Sequence, residues 1–223
     1  TGFGTTPTTL RYSSILFAGD MNGDGTPDVI AVTAAGQVML LPGDCTGHLG
    51  APVSMSASVT SAIGEGDFNG DGHPDVLDRR ADGTLWMLAS TGHGTFAAAR
   101  QVGAGWAGFD TVIAAGNVNH DGYPDVIARR TDGSLLLYEG NGAGGWSAST
   151  VNGGIVLAPK LPKTQYPVLV GAGDFDGDGG VDLAAVNTPG QLLEFKGTAG
   201  NLGSTGQVIG GGWQPTGLVQ IAS

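Results

Sequence analysis

Basic residues are scarce in this chain of 223 residues, which has 9 Lys and Arg against 20 Asp and Glu and a formal net charge of −11. Such an acidic balance argues against nucleic acid or an anionic membrane surface as the partner. The sequence also lacks an apolar run of about 18 residues, the length that would span a bilayer. Its one cysteine, Cys45, cannot form an internal disulfide, so the cysteine count says little about the compartment.

Amphipathic helical periodicity is missing too, and only 13% of the residues are charged. Glycine is abundant instead, with 42 residues interleaved among apolar β-formers rather than gathered into tracts. This distribution predicts many tight turns between short strands, and it is not typical of a disordered linker.

Four Asp-rich segments repeat along the chain. They begin at Asp20, Asp67, Asn117 and Asp174, at intervals of 47, 50 and 57 residues. Periods of this size are typical of solenoids, propellers or arrays. Each segment lies between two short apolar strands, and a tight turn then leads to a third strand. These turns are Ala35-Gly36, Asp82-Gly83, Asp132-Gly133 and Pro189-Gly190. We interpret the Asp-Gly pairs as two-residue hairpin turns, because Gly tolerates the positive φ that type I′ turns need.

The inner strands are nearly continuous in apolar residues, so we expect both of their faces to be covered. A Gly-rich loop and a more polar outer strand complete each unit. The sequence therefore predicts an all-β fold, a β-propeller of four-stranded blades of about 50 residues. We expect a single domain over residues 1–223, with four full repeats at about 13–60, 61–109, 110–164 and 165–213.

An additional half-blade strand is expected at each end, over residues 3–11 and 216–222. Three explanations remain open. The two ends pair into a reduced fifth blade that closes a five-bladed ring, or the chain is a piece of a larger propeller. Alternatively, the ends complement those of neighbouring chains, because open strand edges are otherwise liabilities, and this gives an oligomer or a fibre.

The repeated segments carry Asp or Asn at their positions 1, 3, 5 and 9 and Gly at position 6, where it permits a sharp reversal. Calcium takes six to eight oxygen ligands, and short loops of this kind supply them. We therefore expect about four Ca²⁺ ions. The expected side-chain ligands are Asp20, Asn22, Asp24 and Asp28; Asp67, Asn69, Asp71 and Asp75; Asn117, Asn119, Asp121 and Asp125; and Asp174, Asp176, Asp178 and Asp182. Backbone carbonyls are expected at position 7, from Thr26, His73, Tyr123 and Gly180.

EF-hand and dockerin loops share the first six positions, but they need an acidic ligand at position 12 and a helix after it. Position 12 here is Ala31, Asp78, Ala128 and Ala185. Strand-forming residues follow it, and the acidic residue stands at position 9 in every copy. The pattern therefore favours calcium loops between strands.

Carboxylates at positions 1, 3, 5 and 9 number three, three, two and four in the successive loops. Because ligand charge tunes calcium affinity, we predict that the Asn117 loop binds weakest and the Asp174 loop tightest or nearly so. Four doubly charged ions would bring the net charge from −11 to −3. The acidity therefore indicates metal ligands rather than a basic protein partner.

The segments resemble FG-GAP repeats, also called VCBS repeats, which are the units of the integrin α-subunit head and of many secreted bacterial proteins. The resemblance covers about residues 13–213. Gly105-Trp106 and Gly212-Trp213, at the ends of two outer strands, are most similar to repeats in actinobacterial secreted proteins that follow protease or hydrolase domains. The resemblance implies a β-propeller, Ca²⁺ ligation by the Asp and Asn residues, and a secreted, extracellular setting. Related fungal lectins bind sugars between the blades of a seven-bladed version, whereas this sequence shows four full repeats.

Four tryptophans and two arginines are candidate ligand-binding residues. Trp106, Trp213, Trp86 and Trp146 either stack on sugar rings or pack between blades. Arg80 and Arg130 belong to Arg-Arg pairs that recur on the second strand of two repeats, where they suit either a neighbouring loop or carboxylate, or a ligand.

Signatures of catalysis are missing, since the sequence has no zincin helix, Walker loop or dinucleotide fingerprint. The run from Gly43 to Gly47 matches a nucleophile elbow only superficially, because it lies in a loop between outer strands. Our hypothesis is a secreted, non-catalytic, calcium-binding module for carbohydrate or an extracellular protein, without membrane insertion. One alternative is an adhesion or assembly subunit, either a homo-oligomer joined through its open end strands or part of a larger secreted protein. Another is an accessory module, or a site on the propeller face, of a secreted hydrolase.

Overall fold

The structure, a computed structural model, describes residues 11–213 apart from the side chain of Glu65. The end strands predicted at 3–11 and 216–222 lie, except for Arg11, outside the described residues. Within residues 11–213 the only helical segment is a single 3₁₀ turn, Trp106–Gly108. No helix in the described range is long and apolar enough to cross a membrane.

The described chain forms four antiparallel sheets of four strands, which confirms the predicted all-β propeller class. Blade 1 consists of β1 (Tyr12–Ala18), β2 (Asp28–Thr33), β3 (Gln37–Leu41) and β4 (Val53–Ser58). Blade 2 consists of β5 (Ala62–Gly66), β6 (Asp75–Arg79), β7 (Leu85–Leu88) and β8 (Arg100–Gly103). Blade 3 consists of β9 (Phe109–Gly116), β10 (Asp125–Arg130), β11 (Ser134–Tyr138) and β12 (Ile155–Lys160). Blade 4 consists of β13 (Val168–Gly173), β14 (Asp182–Val186), β15 (Gln191–Phe195) and β18 (Gln207–Gly211), with the short ribbon β16 (Gly197–Thr198) and β17 (Asn201–Leu202) inserted before β18.

The hairpin turns between the second and third strands lie at the predicted positions, but their type differs from the prediction. In blade 2 the Gly83 N–H donates to the Arg80 carbonyl at 3.0 Å, and Gly83 has a φ of 78°. Asp82 is not among the described residues with positive φ, as a type I′ turn would require. The turn is therefore a type I turn followed by a left-handed glycine, and Asp82 stabilises it by accepting the Thr84 N–H at 2.9 Å.

The hydrophobic core is divided into three clusters of buried side chains, and each cluster lies between consecutive blades. Strand alternation sends successive side chains to opposite faces. On β9, Val112 and Ala114 pack toward blade 2, whereas Ile113 and Ala115 pack toward blade 4. An inner blade is thus covered on both faces, as its continuous apolar strands indicate. We refer below to the three cluster regions as junctions 1/2, 2/3 and 3/4.

Candidate functional site

The four Asp-rich loops occupy equivalent places, each between the first and second strand of its blade. In the first loop, Asp20 Oδ1 accepts the N–H groups of Gly23 and Asp24 at 2.7 and 3.1 Å, and Oδ2 accepts that of Gly25 at 2.8 Å. Asp67 makes the same three bonds in the second loop. Short acidic side chains that bond their own backbone in this way set the loop conformation, so the oxygens are positioned before any ligand arrives.

Positions 3, 5 and 7 continue this network. Asn22 Oδ1 accepts the Asp24 N–H at 2.8 Å, and Asp24 Oδ1 accepts the Thr26 N–H at 2.9 Å. The position-5 aspartates of the other loops accept the N–H groups of His73, Tyr123 and Gly180 in the same way. In the first loop the Thr26 hydroxyl, and after it the Asn22 side chain, lowers the pKa of Asp24.

The position-9 aspartates have a second role that the sequence did not indicate. All four are buried, and each accepts one or two N–H groups from the start of its own loop and one from the turn between the third and fourth strands. Asp28, for example, accepts the N–H of Met21 at 2.9 Å and that of Gly43 at 3.0 Å. The equivalent turn donors to Asp75, Asp125 and Asp182 are Ser90, Gly140 and Gly197. Position 9 therefore ties the loop to the outer half of its blade.

Burial has a large electrostatic effect at two of these residues. Desolvation raises the pKa of Asp75 to about 7 and that of Asp125 to about 6, against the lowering effect of their backbone hydrogen bonds. A carboxylate held in such surroundings favours a nearby cation, because the cation stabilises the charged form.

The fourth loop fits a divalent cation best by geometry. One oxygen from each of Asp174, Asp176 and Asp182 lies within 4.8 Å of the other two. Oxygens on opposite sides of a Ca²⁺ ion, bonded at 2.3–2.6 Å, are separated by about that distance. Lys196 also contacts Asp176, where its ammonium group lowers the pKa of Asp176. The sequence did not reveal this competing cation.

The third loop offers a different indication. Asn117 Oδ1, at position 1, is buried and has no hydrogen-bond partner among the described residues. A buried carbonyl oxygen without a donor is costly, and a bound cation would satisfy it. The donor set and this orphaned oxygen both fit calcium, so the residues present are suited to the expected ion.

Asp78, the acidic residue at position 12 of the second loop, lies outside the loop on β6. Its Oδ1 accepts the N–H groups of Thr60 and Ser61 at 2.7 and 2.8 Å, and the side chain is buried. Asp78 therefore stabilises the segment between blades 1 and 2. Because it lies outside the loop, the loop differs from an EF-hand loop, which uses an acidic ligand at position 12.

A cleft of about 630 Å³ opens at junction 2/3 and brings three of the candidate ligand residues together. Trp106, Trp146 and Arg130 all line it. Trp146 spans the junction, since its indole N–H donates to the Val102 carbonyl at 2.8 Å. The Trp106 ring lies 4.7 Å from that of Tyr138 and 5.5 Å from that of Trp146, which is the spacing of a packed aromatic cluster.

The cleft also has polar lining. Arg130, which is exposed, and Asn152 both border it. Burial raises the pKa of Tyr138, so its hydroxyl stays protonated near neutral pH. The sequence reasoning missed Phe109, Tyr138 and Asn152, because only the packing of blade 2 on blade 3 places them beside the tryptophans.

The remaining candidates lie elsewhere. Trp86 stacks under Arg80, whose guanidinium carbon is 3.7 Å from the ring centroid, and Arg80 borders a smaller cleft of about 310 Å³. Trp213 lies at the end of blade 4, away from the larger cleft. Cys45 is exposed in the β3–β4 turn with a φ of 55°, and its thiol is free.

Comparison with a solved lectin structure supports the propeller fold. A crystal structure of the BP39L lectin from Burkholderia pseudomallei superposes with a TM-score of 0.63 at 18% identity, over 95% of this chain and 62% of the lectin chain. The present chain thus spans about 62% of the lectin's length. The crystal structure of BBS1N in complex with ARL6DN is similar over 88% of this chain and 53% of its own, at 10% identity and a TM-score of 0.46.

No curated protein matches the chain in sequence. The FG-GAP-like repeat family, however, matches residues 20–77, 67–128 and 117–185, which together contain all four Asp-rich loops. These three matches span well over half of the chain, and therefore the chain belongs to the FG-GAP-like repeat family.

Proposed function

We propose that this chain is a secreted, non-catalytic binding module whose blades are stabilised by calcium and whose ligand, a carbohydrate or an extracellular protein, binds in the cleft at junction 2/3. The observation that carries the calcium part is the fourth loop, where oxygens of Asp174, Asp176 and Asp182 lie within 4.8 Å of one another. The orphaned oxygen of Asn117 supports the same role in the third loop.

Calcium at these loops acts on stability rather than on chemistry. With a dissociation constant of about 0.1 mM, near the extracellular range, about 1 mM Ca²⁺ adds roughly 1.4 kcal/mol for each site. Four independent sites add about 5–6 kcal/mol, which is comparable to the whole stability of a modest domain.

Thermal unfolding tests the calcium role directly. We expect EDTA to lower the melting temperature of the chain, and added Ca²⁺ to restore it and raise it with concentration. Titration calorimetry gives the number of ions, for which we expect about four. A melting temperature that EDTA leaves unchanged would contradict the calcium role.

The cleft at junction 2/3 offers both aromatic and polar surface to a ligand. Trp146 is partly exposed and lines the cleft together with Arg130, and such a combination is typical of small-ligand pockets. The structural likeness to a lectin, at 18% identity, bears on the fold alone, and it agrees with a carbohydrate as the first ligand to test.

Glycan-array binding followed by calorimetry tests the cleft. We expect Arg130→Gln to weaken binding by about tenfold or more, because a charge-assisted hydrogen bond to the ligand is lost. Lys163→Gln removes an exposed cation outside the cleft and is the matched control. Equal binding by the two variants, each with an unchanged melting temperature, would place the ligand elsewhere and leave the calcium role untouched.

A further inference from the structure

The three junctions are built from the same parts. The residue at position 2 of each calcium loop, Met21, Phe68 or Val118, is at most 4% exposed because the next blade covers it. Its carbonyl also accepts an N–H from a turn glycine of that next blade. These bonds are Gly94 to Met21 at 2.8 Å, Gly144 to Phe68 at 2.7 Å and Gly200 to Val118 at 2.8 Å.

Two further residues complete each junction. The next blade contributes an apolar side chain just after its turn glycine, and these side chains are Phe96, Trp146 and Leu202. The preceding blade contributes a buried residue after its outer strand, and these residues are Val59, Trp106 and Leu161. The N–H of each of the latter three donates to the carbonyl of the hairpin glycine in its own blade.

Blade 4 presents the first half of such a junction without a described partner. Phe175, at position 2 of the fourth loop, is 62% exposed, and Trp213, which is equivalent to Trp106, is 42% exposed. At junctions 1/2 and 2/3 a carbonyl of the next blade comes so close that a β-carbon on Gly23 or Gly70 would lie 2.7 or 2.6 Å from it. A β-carbon on Gly177, the equivalent residue of blade 4, would have no described atom within 4 Å beyond its chain neighbours.

Blade 1 presents the second half. Leu49, which is equivalent to Phe96 and Trp146, is 50% exposed beside the turn glycine Gly47. With Phe17, Pro27 and Val29 it lines a hollow of about 520 Å³. At the three junctions, the residues equivalent to Val29 and Leu49 lie in the same cluster as the position-2 side chain of the preceding blade. The lining of the hollow is mostly apolar, which suits a phenylalanine side chain such as that of Phe175.

Glu194 is a further indication that another polypeptide segment packs on this face of blade 4. It is equivalent to Leu40, Met87 and Leu137 of the other blades, each of which lies in a junction cluster. Leu40 and Met87 also face the turn glycine of the next blade. Glu194 is buried, and its Oε1 has no hydrogen-bond partner in the part of the chain that the structure describes. The exposed His48 ring, in the blade 1 turn beside Gly47, carries an N–H donor of the kind that Oε1 lacks.

We propose that these two faces are the halves of one more blade junction, and that a second copy of this chain supplies it, with blade 1 of one copy packed on blade 4 of the other. The surfaces differ from each other and are complementary, so the contact is head to tail. The contact between the two copies would repeat the construction of junctions 1/2, 2/3 and 3/4 within the chain. The described exposed apolar residues Phe175, Trp213 and Leu49 become buried in it.

Analytical ultracentrifugation of the full chain in calcium-containing buffer tests the proposal. We expect self-association that increases with protein concentration. Phe175→Ser and Leu49→Ser should each abolish it, because each removes one half of the junction. A mixture of the two variants should form a 1:1 dimer, since each retains the half that the other has lost.

Val156→Ser is the control, because Val156 is an exposed apolar residue on β12, away from both end faces, and its loss should leave association unchanged. Melting temperatures of diluted samples show whether each variant is folded. A wild-type chain that stays monomeric at all concentrations would overturn the proposal and give the two faces to another occupant, such as the chain's own terminal segments. Association that survives both substitutions, or a mixture that does not pair, would overturn it as well.

Discussion

Arg129 and Asp110 form a buried ion pair at junction 3/4, with Arg129 Nε 2.6 Å from Asp110 Oδ1 and the arginine side chain only 1% exposed. The guanidinium group also donates to the Thr111 hydroxyl and to the carbonyls of Leu161 and Tyr166. One side chain of β10 thus holds the start of β9 and the segment that leads into blade 4.

Removing the carboxylate should therefore be costly. We expect Asp110→Ala to lower the free energy of unfolding by about 3 kcal/mol, because it leaves a buried guanidinium without its counter-charge. Lys160→Ala is the control, since the Lys160–Asp132 pair is more than half exposed and is worth less than about 1 kcal/mol. Chemical denaturation measures both values, and equal losses would contradict the role we assign to Asp110.

Substitutions of Asp71 and Asp78 test whether the second loop uses ligands in the pattern expected here or in that of an EF-hand loop. Asp71→Asn removes a carboxylate at position 5, so we expect calorimetry to show weaker binding or one ion fewer. Asp78→Asn should leave the ion count unchanged, because Asp78 bonds to Thr60 and Ser61 instead. It should lower the free energy of unfolding by about 1–3 kcal/mol through the weakened buried hydrogen bonds. A lost ion in the Asp78 variant would support a ligand at position 12.

The calcium affinity of the third loop should respond to charge. Asn117→Asp raises the number of carboxylates in this loop from two to three and replaces the orphaned amide oxygen, so we expect the weakest site to tighten by about tenfold, or about 1.4 kcal/mol. Gln101→Glu adds the same charge on β8, outside the four Asp-rich loops, and controls for the effect of net charge on calcium affinity. An equal change in the two variants would show that net charge, rather than ligation, sets the affinity.

The loops and the blade architecture could be predicted from the sequence because their determinants are local. The side chains of Asp20 and Asn22 bond to N–H groups within six residues of chain, and the inner strands on each side are nearly continuous in apolar residues. The turn type was wrong because Asp-Gly suits both a type I′ turn and a type I turn with a left-handed glycine. The number of residues in the loop, which the hydrogen-bond register of the two strands sets, decides between them.

The cleft could not be predicted in the same way, since it depends on contacts between blades. Trp106 belongs to blade 2, whereas Arg130 and Trp146 belong to blade 3, and no spacing along the chain records that they meet. Trp106 and Trp213 both follow a glycine at the end of an outer strand. One is buried and the other exposed because a described blade follows the first and none follows the second.

This contrast between the two tryptophans gives a test of packing against ligand stacking. Trp106 is 3% exposed within the aromatic cluster at junction 2/3, so we expect Trp106→Ala to lower the free energy of unfolding by about 3–5 kcal/mol. Trp213→Ala, in dilute monomeric samples, should change it by no more than about 0.5 kcal/mol, because no blade within residues 11–213 packs on the outer face of that side chain. Denaturant titration with the same chain concentration in both variants measures the difference. Equal, small effects would mean that Trp106 contributes little to the junction and is free to act as a platform for the ligand.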